Sequence, residues 1–317
     1  MSDYTDARST PGKAPGGSDD RELFMENFGQ QVFEAWTESN TFEGHTFTRS
    51  ITSGKADVFP IIGRKRDASE HVPGEIILGG GINHNEVTIT LDNILVDSAF
   101  IAEIDELISN YDLGAPYAKQ LGESLSTTYD KRLAQLHVLA SRLVGGPGND
   151  IGHPDPGYSW HANMASDPAQ IEAAHFAAVE HIKENDISGA GIRSFLRWQQ
   201  YLLMSRYGEL DSKETTGSAN RSQATIGPVA GIYITGTNHI PSTNITTGLT
   251  KYRGNFTPTV GFISTPMAVG TLKRRGLKVV MKQQDDRLGT LLIASKFTGH
   301  GILRPECSWE LATAERA

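Results

Sequence analysis

The sequence predicts an α+β fold, because helical and strand patterns both occur in it without the regular alternation that a parallel βαβ sheet requires. Helical patterns dominate before Gly217. Beyond that residue the pattern changes to short β-branched runs separated by turns, namely PVAGIYIT, VGFISTPMAVGTLK, LKVVMKQ and GTLLIASKF. A chain of 317 residues is long enough for one large domain or two ordinary ones.

The N-terminal region predicts an arm followed by one helix. Residues 1–19 are rich in Ser, Gly, Pro and Asp and nearly lack apolar side chains, which is typical of a segment without its own core. From Asp20 onward, apolar residues recur at three- and four-residue spacing, which indicates an amphipathic helix. Its apolar face consists of Leu23, Phe24, Phe28, Val32, Phe33 and Trp36. Such a face must pack on another surface, so Phe24 and Phe28 are candidate contact residues.

A long basic hairpin, called the ribbon below, is predicted between Arg49 and Asp92. Its first part, RSITSGKADVFPIIGRKR, contains five basic residues and an apolar run that Pro60 interrupts. Its last part contains turn signals and ends in the alternating strand pattern EVTITL. Structureless connections of this length are uncommon within a compact domain. We therefore expect the ribbon to lack a packing partner in its own chain, with Phe59 and Ile61 covering a neighbouring subunit.

The basic side chains of the ribbon are predicted to contact an acidic protein surface. They are Arg49, Lys55, Arg64, Lys65 and Arg66. The formal net charge of −8 argues against a protein that grips nucleic acid, which requires a basic face to displace counterions. Acidic residues that a neighbouring copy could present to the ribbon are Glu103, Asp105, Glu106 and Glu123.

Further helices are predicted downstream of the ribbon. SAFIAEIDELIS carries a helical stripe that begins at Phe100, and Pro116 opens the longest helical pattern, which ends at Gly145-Gly146. Along that pattern we expect Leu121, Leu125 and Leu133 to be buried. Asp167-Pro168 starts another helix, and IRSFLRWQQYLLMSRYG has the pattern of one more.

Composition restricts the functional class. The single cysteine, Cys307, excludes an internal disulfide framework and is typical of a protein that folds in a reducing cytoplasm. The sequence has no signal-peptide pattern and no run of 18 apolar residues, so we expect neither secretion by the usual route nor a membrane span.

No motif in the sequence predicts catalysis or a cofactor. LGGGINHN lacks the following helix and the Lys-Ser/Thr of a phosphate-binding loop. The best metal-like cluster is His153 and His161 with Asp150 and Asp155, but its spacing matches no zinc pattern. A loop-based metal hydrolase stays open only as an unfavoured alternative, and a lone cysteine is a weak nucleophile candidate.

Several segments in order resemble the major capsid proteins of T7-like short-tailed bacteriophages. They are LFMENFGQQVFEAW, RSITSGKADVFPIIGR and ISNYDLGAPYAKQLGESL, then TPMAVGTLKRRGLKV and ASKFTGHGILRPE near the end. The resemblance covers residues 23–136 and 260–306 well and the middle only loosely. It implies an HK97-type capsid fold. The implied parts are an N-terminal arm (1–45), an extended loop or E-loop (46–92), a peripheral domain (93–159) with a spine helix (112–145), an axial domain (160–280), and C-terminal strands (281–317) that return to the peripheral domain.

The same resemblance implies a structural function and no enzymatic activity. Copies would form pentamers and hexamers of an icosahedral T=7 head that encloses double-stranded DNA without sequence-specific contact. The implied partners are further copies, a scaffolding protein and a portal protein, and the implied place is the virion capsid after assembly in the bacterial cytoplasm. The nearest alternative is an encapsulin-like nanocompartment shell, which has the same fold and carries enzyme cargo.

Overall fold

The computed structural model describes residues 20–65, 68, 70–74, 76–77, 81–102, 114–207 and 226–316, and among these it describes the side chains from Phe28 onward except at 114, 115, 150 and 285. Over these residues the α-helices are α1 (Asp20–Ser39), α2 (Gly114–Arg142), α3 (Pro168–Glu184) and α4 (Trp198–Ser205). The first strands are β1 (Phe47–Ser50), β2 (Ala56–Ile62), β3 (His84–Thr90), β4 (Leu95–Ala102), β5 (Gly157–Trp160), β6 (Arg193–Leu196) and β7 (Tyr233–Gly236). The later strands are β8 (Asn244–Ile245), β9 (Gly254–Asn255), β10 (Thr259–Ser264), β11 (Val269–Gln284), β12 (Gly289–Ile302) and β13 (Ser308–Ala312). None of the described helices is long and apolar enough to cross a membrane.

The chain divides into two compact units. The first comprises Met1–Ser39, Ile94–Ser126 and Leu277–Lys296, and the second comprises Asn40–Asn93, Thr127–Gly276 and Phe297–Ala317. A four-stranded sheet has the order β1-β11-β12-β4, in which β1 runs parallel to β11 and β4 runs antiparallel to β12. Mixed helices and sheets without regular βαβ alternation confirm the predicted α+β class.

The second unit is built around a five-stranded sheet in the order β5-β13-β10-β6-β7. Strand β10 is buried along its whole length, and it pairs antiparallel with both β13 and β6. Helices α3 and α4 pack against this sheet. The resulting core consists of Met164, Ile171, Ala174, Ala178, Leu196, Met204, Val229, Ile232, Val260, Ile263, Trp309 and Leu311.

The long helix is confirmed. It occupies Gly114–Arg142, begins close to the predicted start at Pro116, and ends beside the predicted glycine pair. Leu121, Leu125 and Leu133 are all buried, as the apolar spacing predicts. The helix after Asp167 is also confirmed, since the Asp167 side chain accepts a hydrogen bond from Ala169 N and Pro168 occupies the first turn.

Two helix predictions are wrong in part. Residues 98–102 of SAFIAEIDELIS belong to strand β4, where Phe100 lies opposite Leu291 of β12, and residues 103–113 lie outside the described residues. In IRSFLRWQQYLLMSRYG, the first part is strand β6, and the helix begins only at Trp198. A short apolar run satisfies helical and strand periods alike, and cross-strand pairing decided both cases.

A buried ring cluster joins the segment before β1 to α2 and to the five-stranded sheet. The His137 ring stacks on Phe262 with centroids 5.2 Å apart, and it lies 5.7 Å from the His45 ring. Phe42 and Phe195 complete the cluster. Burial lowers the pKa of His45 to about 4 and that of His137 well below its ordinary value. Among the residues that the structure describes, neither ring nitrogen of His137 has a hydrogen-bond partner, whereas His45 Nε2 lies 3.0 Å from the Ser264 carbonyl oxygen.

Candidate assembly surface

The ribbon is a two-stranded antiparallel hairpin with two distinct faces. Strand β2 pairs with β3 from Ala56 opposite Thr90 to Ile62 opposite His84. Because successive side chains of a strand point to opposite faces, Phe59 and Ile61 share one face while the intervening residues share the other. The burial pattern of β2 follows this alternation.

The inner face of the ribbon packs within its own chain. Phe59 is only 3% exposed and forms a core cluster with Ile89 of β3, Leu272 of β11 and Leu303. Ile61 is also buried. The prediction that the ribbon lacks a partner in its own chain is therefore wrong, because the partners come from β11 and from the segment after β12, far along the sequence.

The outer face of the ribbon is open to solvent. Val58 and Pro60 are exposed, and Ile62 is 70% exposed. The predicted contact residues Lys55 and Lys65 are exposed as well, and Arg66 lies outside the described residues. The apolar surface that the ribbon offers to another molecule thus includes Val58 and Ile62 of β2, with lysines near both ends of that strand. Val72, Ile76, Ile77 and Ile82, between β2 and β3, are exposed as well.

A buried carboxylate anchors the inner end of the ribbon. Asp92 accepts a hydrogen bond from the Tyr252 hydroxyl and pairs with Lys251 Nζ, while Arg132 lies 3.8 Å away. Its backbone N–H donates to Thr298 O at 3.2 Å. Burial, followed by the Asp92 charge, raises the pKa of Tyr252. These contacts fix the point where the ribbon meets the rest of the second unit, and we call them the Asp92 node.

The outer end of the ribbon is fastened mainly through backbone groups. Gly63 N donates to Asn83 O at 2.8 Å, and a Cβ added at Gly63 would lie only 2.5 Å from that oxygen. Arg64 N donates to Ile151 O at 3.1 Å. His153 Nε2 donates to Ile62 O at 2.9 Å, while His153 Nδ1 lies 3.2 Å from the Arg304 guanidinium and 3.3 Å from Glu306 Oε1. The loop around Ile151 thus holds the outer end of the ribbon in place.

Two of the predicted basic contact residues are engaged within the chain. The Arg64 guanidinium donates to the carbonyl oxygens of Asn185 and Asp186, just beyond the end of α3. Arg49 donates to Asp57 at 3.0 Å and lies over the Phe59 ring, 4.5 Å from its centroid. The hydrogen bond from Arg49 lowers the pKa of Asp57. Contacts of Arg49 and Arg64 with a neighbouring subunit stay predictions.

The arm helix α1 packs inside the first unit. Phe28 is buried, and the side chain of Phe24 lies outside the described residues. Gly122 of α2 lets the helices approach closely, since an added Cβ would lie 2.6 Å from Val32 O. Lys296 of β12 is buried with Nζ 3.7 Å from the centroid of the Trp36 ring.

The predicted acidic partners are mostly beyond what the structure describes. Glu103, Asp105 and Glu106 lie outside the described residues. Glu123 lies on α2, where it pairs with Lys119 at 3.9 Å and accepts a hydrogen bond from Gln120. Its predicted contact with a ribbon from another copy stays a prediction.

The metal-hydrolase alternative gains no support. His153 hydrogen-bonds to Ile62 O of the ribbon. His161 Nδ1 accepts a hydrogen bond from Asn163 N, and Asp155 accepts one from Gly145 N. Within the described part of the chain, no three His, Cys, Asp or Glu side chains converge as a metal-binding group. Burial raises the pKa of the Cys307 thiol to about 11, which disfavours the nucleophilic thiolate.

Comparison with known proteins identifies the family to which this fold belongs. Residues 58–312 match the Gp10A-like family, described as major capsid protein. The chain belongs to this family. The matched range contains nearly all of the hairpin, from Val58 to Thr90, both ends of its anchorage, and the five-stranded sheet. The expectation of a structural rather than an enzymatic role is confirmed by this membership, and the encapsulin-like alternative gains no support from it.

Individual relatives agree with the family assignment. The chain is 27% identical to the major capsid protein of Enterobacteria phage T3 over 94% of its own length and 93% of that protein. The capsid structure of the cyanophage P-SCSP1u superposes with a TM-score of 0.77 at 29% identity, covering 87% of this chain and 89% of that one. The mature capsid of bacteriophage PhiM1 gives a TM-score of 0.73 at 16% identity over 88% of each chain, which shows the fold alone. The predicted HK97-type capsid fold is thereby confirmed, and phage capsid proteins of this kind form the virion capsid.

Sequence reasoning missed the residues that hold the ribbon in place. Asp92 is a single carboxylate whose partners Arg132, Lys251 and Tyr252 are distant in sequence, so no local signal identifies it. Gly63 is different, because a glycine that separates an apolar strand from a basic cluster is a recognisable sign of close backbone approach.

Proposed function

We propose that this chain forms the pentamers and hexamers of an icosahedral T=7 phage head that encloses double-stranded DNA. The observation that carries the proposal is the two-faced ribbon in a member of a major capsid protein family. The inner face of the ribbon is buried within its own chain, and both of its ends are anchored there. Its outer face exposes an apolar strand with lysines at either end. An exposed apolar face held in a fixed position is typical of an interaction surface.

The domain boundaries predicted from the sequence form part of this proposal. They are the arm (1–45), the E-loop (46–92), the peripheral domain (93–159) with its spine helix (112–145), the axial domain (160–280) and the C-terminal strands (281–317). Helix α1, the ribbon and helix α2 fall within the first three of these segments, which supports the assignment.

The outer face of the ribbon lies across an adjacent subunit in the proposed shell. Val58 and Ile62 supply the apolar contact there, while Lys55, Lys65 and Arg66 face acidic side chains of the neighbour. The candidate acidic residues are Glu103, Asp105, Glu106 and Glu123. Each exposed ion pair contributes only about 0–1 kcal/mol, but the contact recurs at every subunit of the shell. The apolar part survives salt, because only the charged part is screened.

The remaining partners follow from the same proposal. A scaffolding protein guides closure in the bacterial cytoplasm, and a portal protein admits the DNA. A net charge of −8 suits a shell that surrounds DNA without binding a particular sequence, because a strongly basic lining would hold the DNA and hinder packing.

Coexpression of the chain with a scaffolding protein, followed by electron microscopy, tests this function. We expect closed shells from the wild-type chain. Lys55→Glu with Lys65→Glu should leave the circular dichroism spectrum unchanged, since both side chains are exposed, and should reduce the yield of shells. Lys131→Glu with Lys282→Glu is a charge-matched control at two other exposed lysines. A monodisperse dimer from the wild-type chain at all concentrations would contradict the proposed function.

A further inference from the structure

The two edges of the five-stranded sheet differ in their side chains and in the helix beside them. Strands β5 and β7 are the edge strands in the order β5-β13-β10-β6-β7. Helix α3 packs next to β5 and β13, whereas α4 packs next to β6 and β7. Each edge therefore combines one strand with one helix, and opposite edges carry different helices.

Helix α4 presents an apolar and basic stripe to solvent. Trp198, Leu202 and Arg206 follow one another at four-residue spacing, which places them on one face, and all three are exposed. Trp198 is 50% exposed although its ring is fixed, because it lies over Gly236 of β7 and contacts the Tyr201 ring edge-on at 5.5 Å. Trp, Tyr and Arg are the residue types that dominate binding at protein interfaces.

Helix α3 presents a complementary stripe at the other edge. Its inner side is buried in the core, whereas Ala173, Phe176 and Glu180 face outward. Phe176 is 55% exposed, and Trp160 at the end of the adjacent edge strand β5 is 48% exposed. Large aromatic side chains are thus open to solvent at both edges, next to an arginine at one edge and a glutamate at the other.

We infer that the α4 edge of one copy docks on the α3 edge of the next copy, head to tail around a ring. The contact pairs Trp198 and Leu202 with Phe176 and Trp160, and it brings Arg206 towards Glu180. This inference rests on the proposed function, because it supplies the surface through which subunits of one pentamer or hexamer meet.

The occupant of each edge is a second copy for two reasons. Complementary charges on different surfaces of the same chain favour contact between unlike patches of identical molecules. A contact between unlike patches is heterologous, and heterologous contacts close into rings when the rotation per subunit permits. The ion pair orients the contact, and the aromatic side chains provide most of its affinity.

A cysteine pair across the contact tests the inference directly. Ala173→Cys with Leu202→Cys leaves Trp198, Phe176 and the charged residues in place, and the single natural cysteine, Cys307, is buried. Assembled shells of the double variant are treated with a short bifunctional maleimide and separated on a denaturing gel. We expect a ladder of linked chains that ends at the pentamer and the hexamer, and no ladder from either single variant.

Other outcomes contradict the inference in distinguishable ways. Linked dimers from a single-cysteine variant would show that like surfaces meet, which overturns the head-to-tail contact. A second pair, Ala173→Cys with Gln199→Cys, covers the case in which the first pair does not assemble. Shells without a ladder from either pair overturn the inference and leave the proposed function standing. A wild-type chain that forms no capsomers overturns the proposed function and this inference together.

Discussion

Two buried polar sites in the second unit differ in how they compensate for the loss of contact with water. The Asp92 carboxylate stays charged in the interior because opposite charges and a hydroxyl donor surround it. These groups belong to Lys251, Tyr252 and Arg132, which converge on it from two elements. His137 has no hydrogen-bond partner within the described part of the chain and lies among aromatic rings, where burial lowers its pKa. A buried charge is tolerated only when opposite charges and donors surround it, whereas a buried imidazole can become neutral instead. The two sites should therefore respond oppositely to loss of their polar groups.

The largest expected effect is at the Asp92 node. Asp92→Ala leaves Lys251 and Arg132 without their counter-charge and should lower the free energy of unfolding by about 3–5 kcal/mol, measured by urea denaturation. Asp57→Ala removes a carboxylate of the same ribbon whose side chain is 28% exposed and pairs with the partly exposed Arg49, and it should have a far smaller effect. Equal effects of the two changes would show that the node does not anchor the ribbon.

Phe59→Ala separates the apolar contribution of the ribbon from the polar one. Phe59 fills the cluster with Leu272, so the truncation should cost about 3–4 kcal/mol. Val58→Ala, one position away on the exposed face, is the matched control and should change stability little. If the two variants melt at the same temperature, the ribbon does not pack in its own chain.

Lowering the pH should destabilise the folded protein through its buried histidine cluster. An unfolded chain binds a proton on histidine near pH 6.5, whereas folded His45 does so only near pH 4. The unfolded state therefore binds more protons between these values, and stability falls as the pH is lowered through this window. His45 alone should account for about 3 kcal/mol of this loss. A free energy of unfolding that stays constant from pH 7 to pH 4 would contradict the burial of these rings.

His137→Phe should have the smallest effect and the opposite sign. The phenyl ring preserves the stacking on Phe262 and removes two unpaired nitrogens, so the free energy of unfolding should rise by about 1 kcal/mol. The variant should also lose part of its acid sensitivity, which chemical denaturation at pH 7 and pH 5 measures. His175→Phe is a control, because His175 Nε2 lies 2.8 Å from Ser194 Oγ and the substitution should destabilise the protein.

The sequence predicted features that depend on local pattern. Helix α2 is long and uninterrupted, so its period is unambiguous, and the Asp167-Pro168 start of α3 is a local capping signal. The sequence wrongly predicts a helix over residues 98–102 of strand β4, because five apolar-rich residues fit both periods and the partner strand β12 lies about 190 residues further on. The burial of Phe59 was missed for the same reason, since Leu272 and Leu303 are brought to it only by the fold.

Thiol labelling at position 62 tests the central claim, which is that the ribbon is anchored in its own chain and presents its outer face to a neighbouring subunit. Ile62→Cys places a thiol on the exposed face, and Cys307 is buried and should stay unreactive. The account predicts rapid labelling of the isolated subunit and strong protection in the assembled shell. Equal labelling rates in the two states would contradict it.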